Sequence, residues 1–320
     1  MLKIFVAVAA VAAVAVLVIS YICFRIVFYV PEKNKGKTLP LKGDTYKPYL
    51  ETMKQMREEA KTIPCEDLYI KSFDGLTLHA KYYQYKKGAT TEIMFHGYRG
   101  SAERDLSGGI QRCFSIGRNA LIVDQRTSCG SEGSVISFGI NEYRDCVSWA
   151  NFAAQHFGDD VDLILCGISM GASTVLMAAS QPLPKSVKGV LADCGFSTAE
   201  AIIKKCSRDM KLPADIVYPF VKLGAMLYGH FDPDSFSALE SVKNCTLPVI
   251  FFHGEADDFV PCEMSRQLYE NCSSPKRLVT VAGAGHGLAY LADGERYLGE
   301  LSDFFTQNGV KTDILKQNIH

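Results

Sequence analysis

Apolar positions along the chain fall into three patterns. The first is a continuous uncharged run over residues 4–24. As a helix, these 21 residues would span about 31 Å, close to the hydrocarbon thickness of a bilayer. The second pattern is a series of short apolar runs of strand length, at 65–73, 76–85, 91–95, 120–124, from Val161, 187–193, 247–252 and 277–281. Asp74-Gly75 separates the first two and is a hairpin turn signal. The third is helical spacing, as in 142–157, which places Trp149 on a core-facing stripe. Strand-type and helix-type segments alternate, so the pattern predicts one α/β domain at about 62–310: a mostly parallel eight-stranded sheet with helices on both faces.

Two stretches interrupt the alternation. Residues 31–61 are polar, lysine-rich and broken by Pro40 and Pro48, which predicts a linker running into a short amphipathic helix near 49–60. Residues 196–243 are too long for a simple crossover, and their apolar positions, among them Phe196, Ile202, Ile203, Tyr218, Val221, Tyr228 and Phe231, recur at helical spacing. They are expected to form a helical lid over the strand ends. Residues 311–320 are left as a C-terminal tail.

The amino-terminal run, within 1–30, reads as a single membrane-spanning helix. A cleaved signal peptide would have a shorter apolar region followed by a clear small-x-small site. Lys3 precedes the run, and Arg25, Lys33, Lys35, Lys37 and Lys42 follow it, which by charge count places the domain in the cytoplasm. A very short leading tail equally describes an uncleaved export anchor, so the side of the membrane stays open. The net charge of -1, without a basic stripe, gives no basis for nucleic-acid binding. Eleven cysteines show no C-x-x-C pair and no zinc spacing, and several fall in strand-type runs, where cysteine acts as a small buried hydrophobe.

The chemistry centres on Gly167-Ile168-Ser169-Met170-Gly171, which joins an apolar strand to a run of small residues and helix formers. The five-residue pattern alone is a weak signal, but this setting makes it a nucleophile elbow: a serine in a sharp strand-to-helix turn, with glycines where the flanking backbone crowds. A serine hydroxyl needs a base, and the base needs a third group to hold its tautomer. Of seven histidines, His286 alone follows the last strand inside a glycine-rich loop, Gly283-Ala284-Gly285-His286-Gly287. Asp257 and Asp258, after the preceding strand, are the two candidates for the acid. His79, His156, His230 and His320 are expected to be solvated or core residues.

These features resemble the α/β-hydrolase superfamily, and more narrowly a bacterial membrane-anchored branch of serine aminopeptidase-like or prolyl-oligopeptidase-like hydrolases. The motifs are His96-Gly97-Tyr98-Arg99-Gly100, Asp124-Gln125-Arg126 with Ser131-Glu132-Gly133, Phe138-Gly139-Ile140, the elbow, and the loops around Asp257 and His286. The resemblance implies a catalytic carboxylate at Asp257 and structural roles for His96 and His253. It also implies an oxyanion hole made by the backbone N–H groups of Tyr98 and Met170. One departure is Thr127-Ser128-Cys129, where relatives continue with a small residue, a histidine and a glycine.

The expected activity is therefore that of a serine hydrolase, most nearly a carboxylesterase, cleaving an ester, thioester or amide through an acyl-enzyme without metal or organic cofactor. Its substrate would be a small acyl compound or a short peptide. An aminopeptidase is the alternative and would need an acid for the substrate amine, with Glu200, Glu255 and Asp193 as candidates. A catalytically silent binding protein is the second alternative.

Overall fold

The computed structural model describes residues 1–38, 43–158 and 160–310. Pro40 and Lys42 of the expected linker, and the tail at 311–320 with His320, lie outside the described residues. The domain is built on an eight-stranded sheet in the order β1-β2-β4-β3-β5-β6-β7-β8. The strands are β1 (Glu66–Lys71), β2 (Thr77–Tyr83), β3 (Thr91–Phe95), β4 (Asn119–Asp124), β5 (Leu163–Ile168), β6 (Val187–Asp193), β7 (Val249–Gly254) and β8 (Lys276–Val281). Strand β2 runs antiparallel to both β1 and β4, and every other pairing is parallel. The sheet is thus mixed, with the hairpin at one edge and the parallel strands carrying the loops that matter for chemistry.

Both faces of the sheet are covered because the central strands are apolar at consecutive positions. Along β5, Leu163 and Leu165 join the core under α4 (Glu142–Phe157) and α5 (Met170–Ala178), where Trp149 is fully buried. Ile164 and Cys166 join the opposite core, under α3 (Ala102–Ser115) and α11 (Gly294–Gln307). The period of two along a strand makes this division. The second core also holds a buried ion cluster: Glu92 accepts from Arg112 at 3.2 and 2.5 Å and from Arg118 at 2.6 Å. Burial opposes ionisation of Glu92, but the two guanidinium groups outweigh it and lower the carboxyl to about 2.

Between β6 and β7 the chain makes α6 (Ala199–Asp209), α7 (Ala214–Gly224), a π-helical turn (Ala225–Gly229) and α8 (Ala238–Val242). Side chains from this insertion form a third apolar cluster, which brings Phe196, Ile203, Tyr218 and Phe231 together with Met170 and Phe138. The remaining short helices are α2 (Leu50–Thr62), α9 (Cys262–Asn271) and α10 (Ala289–Ala292). All eleven cysteines are free thiols.

The amino-terminal helix α1 (Leu2–Val27) is long and apolar enough to cross a membrane, and its first two thirds are exposed. Its last turns are seated on the domain. Ser20 and Phe24 are buried, and Gly224 of α7 lets the two helices approach, since a Cβ there would run into the Ser20 carbonyl. The frayed carbonyls at the end of α1 find donors in the domain: the Tyr98 hydroxyl to Val27 O at 2.6 Å, and Arg99 Nη2 to Ile26 O at 2.8 Å and Tyr29 O at 3.2 Å. A cation at a helix carboxyl end is also favoured by the helix dipole.

Directly after α1, ahead of the stretch expected as a linker at 31–61, the chain is seated on the domain. Phe28 is fully buried against Phe138 and Phe231, an anchor worth on the order of 2–3 kcal/mol. Val30 N–H donates to Ser134 O at 2.8 Å, and Tyr29 forms an antiparallel bridge with Val135. Phe28, Tyr29 and Val30 thus open a strap over residues 28–38 whose remainder, from Pro31, is polar.

Candidate active site

Strand β5 ends at Ile168, and the chain reverses into α5 with Ser169 at φ 56°, ψ −121°, a conformation that side chains rarely adopt. The two flanking glycines are required by contact. A Cβ on Gly167 would collide with the Gly171 carbonyl, and a Cβ on Gly171 with the Phe95 carbonyl. Ser169 N–H donates to Asp193 O at 2.8 Å, which ties the turn to the end of the neighbouring strand β6. The strain is thus held by parallel strands on both sides of β5.

Two further loops leave the same edge of the sheet and meet at this serine. His286 follows β8 and is half-buried, with Nε2 at 2.9 Å from Ser169 Oγ and Nδ1 at 2.7 Å from Asp257 Oδ2. Asp257 follows β7 and is buried; its Oδ1 accepts from the N–H groups of Phe259 at 3.0 Å and Val260 at 2.8 Å. Burial opposes ionisation of Asp257, but hydrogen bonds from His253 and His286 outweigh it, and the carboxyl is lowered to about 2. An ionised Asp257 accepts a hydrogen bond from the Nδ1–H of His286, which holds the proton on Nδ1 and leaves Nε2 unprotonated and facing the serine hydroxyl. Asp258 is exposed and contributes only its carbonyl, to Lys205 Nζ.

His253 is fully buried, with Nδ1 at 2.6 Å from Ser265 Oγ and Nε2 at 2.8 Å from Val260 O and 3.2 Å from Asp257 Oδ2. It braces the acid loop from behind. His96 is fixed through both nitrogens, as Nδ1 lies 2.8 Å from Gly97 O and Nε2 accepts from Gln125 N–H at 3.1 Å. His79 is buried between Asp124 and Asp67, each at 2.8 Å, and hydrogen bonding to Asp124 leads the effects that raise its pKa. His156 and His230 are exposed.

On the opposite side of Ser169 runs the turn after β3. A Cβ on Gly97 would sit 3.4 Å from Ser169 Cβ, and the Gly97 N–H is held by Asp105 Oδ2 at 3.2 Å. Tyr98 is the next residue. Met170 begins α5, where a backbone N–H has no acceptor within the helix. The Tyr98 ring and Met170 join the lid cluster with Phe138 and Phe196, so apolar side chains wall the space above the turn.

Several groups at the site gave no sequence signal. The Tyr46 hydroxyl donates to His286 O at 2.8 Å, and Thr45 lies against Gly285, so the segment before α2 buttresses the histidine loop. Cys194 Sγ comes within 4.8 Å of the ligand-type atoms of both Asp257 and His286. Burial raises the thiol well above its ordinary pKa and keeps it neutral, while the carboxylate and imidazole are bonded to each other. Asp193 is buried, with Tyr297 donating to Oδ2 at 3.0 Å and Oδ1 without a partner, and burial pushes its carboxyl up to about 6. Of the other two acids considered for a substrate amine, Glu200 pairs with Lys204 at 2.8 Å and Glu255 accepts from Thr280 at 2.7 Å.

Residues 137–311, more than half of the chain, match the model of the prolyl oligopeptidase family. The chain belongs to that family. The matched region contains the elbow, Asp257 and His286. The chain is also similar to an uncharacterized protein of Bacillus subtilis, YqkD, at 25% identity over 304 residues, 93% of this chain and 96% of that protein. Among solved structures it is similar to an esterase of Pyrococcus furiosus, with a TM-score of 0.64 at 20% identity, covering 84% of this chain and 97% of the other. It is likewise similar to Est1E of Butyrivibrio proteoclasticus, solved with ferulic acid, with a TM-score of 0.56 at 20% identity and coverages of 76% and 100%. The fold is that of the α/β-hydrolases, and the protein is a hydrolase of that type.

Proposed function

We propose that this family member is a membrane-anchored serine hydrolase of carboxylesterase type. The observation that carries the reading is the unbroken chain of contacts from Asp257 through His286 to Ser169, at 2.7 and 2.9 Å. In this reading the Ser169 Oγ attacks the substrate carbonyl carbon as its proton passes to His286 Nε2. The resulting oxyanion is held by the N–H groups of Met170 and Tyr98, which flank the serine. His286 then returns the proton to the leaving group, the carbonyl–oxygen bond breaks, and an acyl-Ser169 remains. Water deprotonated by the same imidazole releases the acid and restores the serine. Asp257 keeps the imidazole in the tautomer that both steps need.

The esterase reading is preferred over aminopeptidase because Glu200 and Glu255 are engaged by other protein groups and Asp193 is buried with Tyr297 on Oδ2, whereas the wall above the serine is apolar. An acyl chain in that space would gain about 0.8 kcal/mol per buried methylene. Helix α1, in this reading, crosses a membrane and leaves the domain seated at its surface. The test is labelling with a fluorophosphonate together with turnover of nitrophenyl acetate, butyrate and hexanoate. Labelling should vanish in Ser169→Ala, with turnover falling on the order of 10⁵-fold or more. Efficiency should rise along the ester series, up to ~100-fold from acetate to hexanoate. Persistent labelling of the alanine variant would reject the assignment, and faster cleavage of an aminoacyl nitroanilide than of any ester would establish the peptidase.

A further inference from the structure

A cavity of about 210 Å³ lies between the strap that follows α1 and the loops after β3 and β4. Its walls include Met170, the residue after Ser169, and His96, Arg99 and Gly100 of the turn after β3. It is a polar space, unlike the aromatic cluster above the serine. Among the described residues no carboxylate lines it, while Lys37, Arg99 and Arg126 do.

The three cations are not equivalent. Arg126 is neutralised by Asp145, at 2.6 and 2.7 Å, and by Asp74 at 3.1 and 3.3 Å. Arg99 has no carboxylate partner among the described residues: its Nη2 donates to the carbonyls of Ile26 and Tyr29, its guanidinium lies 5.3 Å from the centre of the Tyr98 ring, and its buried Nε has no hydrogen-bond acceptor. Lys37 is exposed and is in no ion pair within the described residues, in contrast to Lys35, which pairs with Glu32. Lys37 and Arg99 are thus two cations without a carboxylate partner among the described residues, and they border a cavity that Met170, next to Ser169, also lines. A desolvated guanidinium donor without an acceptor costs free energy, and an anion bound there would offset it.

We propose that this cavity is a subsite for an anionic group, a carboxylate or a phosphate, carried by the ester that the enzyme cleaves. The proposal rests on the serine-hydrolase reading and specifies its substrate class: an acyl ester with an acid function a few bonds from the scissile carbonyl. Because the strap leads directly from α1, that group could belong to a freely diffusing acid ester or to a lipid headgroup at the membrane surface. The chemistry recognised is the same.

Matched substrate pairs test this on the full-length protein. On the acyl side, 4-nitrophenyl hemiglutarate is compared with 4-nitrophenyl pentanoate. On the alcohol side, 1-hexanoylglycerol 3-phosphate is compared with 1-hexanoylglycerol, both free in solution and in detergent micelles. In at least one pair the anionic ester should show a kcat/KM roughly tenfold or more above its neutral counterpart, as a charge-assisted contact predicts. Lys37→Glu should bring that ratio to about one or below with the neutral ester unchanged, and Lys37→Arg should restore it. Inorganic phosphate should compete with the neutral ester in the parent protein and not in Lys37→Glu. An advantage confined to micelles identifies a headgroup, and one seen in solution identifies a soluble acid ester. Ratios near one in both pairs, with neutral esters still cleaved, overturn the subsite alone, as does a ratio that survives both Lys37→Glu and Arg99→Gln. Failure of every ester together with absent fluorophosphonate labelling rejects the hydrolase reading, and the subsite with it.

Discussion

The floor and the roof of the candidate site are built in opposite ways. The floor is a set of strand-end loops whose reactive groups are fixed by short local bonds: the elbow by its glycines and the β6 carbonyl, Asp257 by two N–H groups of its own loop. The roof is assembled from pieces far apart in sequence, with α1, the strap and the insertion meeting at Phe28, Tyr98, Phe138 and Phe231. The floor should therefore respond to substitution in rate. The roof and the supporting core should respond in stability or selectivity.

The sharpest division is expected within one loop. Asp257→Asn should lower kcat about 10⁴-fold, because the amide no longer fixes the His286 tautomer, while the fold persists. Asp258→Asn should change kcat by less than about twofold, since only its carbonyl is engaged. Steady-state kinetics of the two variants check this, and the reverse order would move the acid by one residue.

Beneath the floor, Glu92→Gln should destabilise the domain by about 3–5 kcal/mol, because two buried guanidinium groups lose their counter-charge. Denaturant titration reads the loss, and kcat of the remaining folded protein should be near that of the parent. A large kcat effect would show that the second core and the floor are not independent.

Asp193 gives a pH-dependent test of the same boundary. Its carboxyl ordinarily titrates at 3.8 and is raised to about 6 when folded, so the native state holds the proton more tightly than the unfolded chain. Its contribution to stability is then fully present below about pH 4, declines as pH rises toward 6 and levels off above that. Asp193→Asn should remove this decline, so that the variant gains about 3 kcal/mol relative to the parent between pH 4 and about pH 7. Equal pH slopes for the two proteins would place the proton elsewhere.

The smallest effect is expected where floor and roof touch. Tyr98→Phe removes the hydroxyl that caps Val27 O but leaves the backbone N–H beside Ser169. Stability should fall by about 1 kcal/mol with kcat nearly unchanged. A fall in kcat of tenfold or more would mean that the seat of α1 positions the oxyanion donors.

The sequence by itself determined the sheet, the elbow and the apolar helix, because each depends on local pattern: period two along β5, glycines two positions either side of Ser169, an uncharged run of sufficient length. The choice of Asp257 over Asp258 needed a loop geometry that periodicity does not encode; the resemblance supplied it, and the structure places Asp257 against His286. What only the tertiary structure decided is how the rest closes around that floor. The strap at 28–38 and the segment at 43–49 have no periodicity, since a few isolated residues, Phe28, Thr45 and Tyr46, make their contacts. That Lys37 and Arg99 have no carboxylate partner among the described residues was invisible for a related reason. Sequence shows that a cation is present, but whether a carboxylate reaches it depends on partners brought together by the fold, as Asp74 and Asp145 are brought to Arg126.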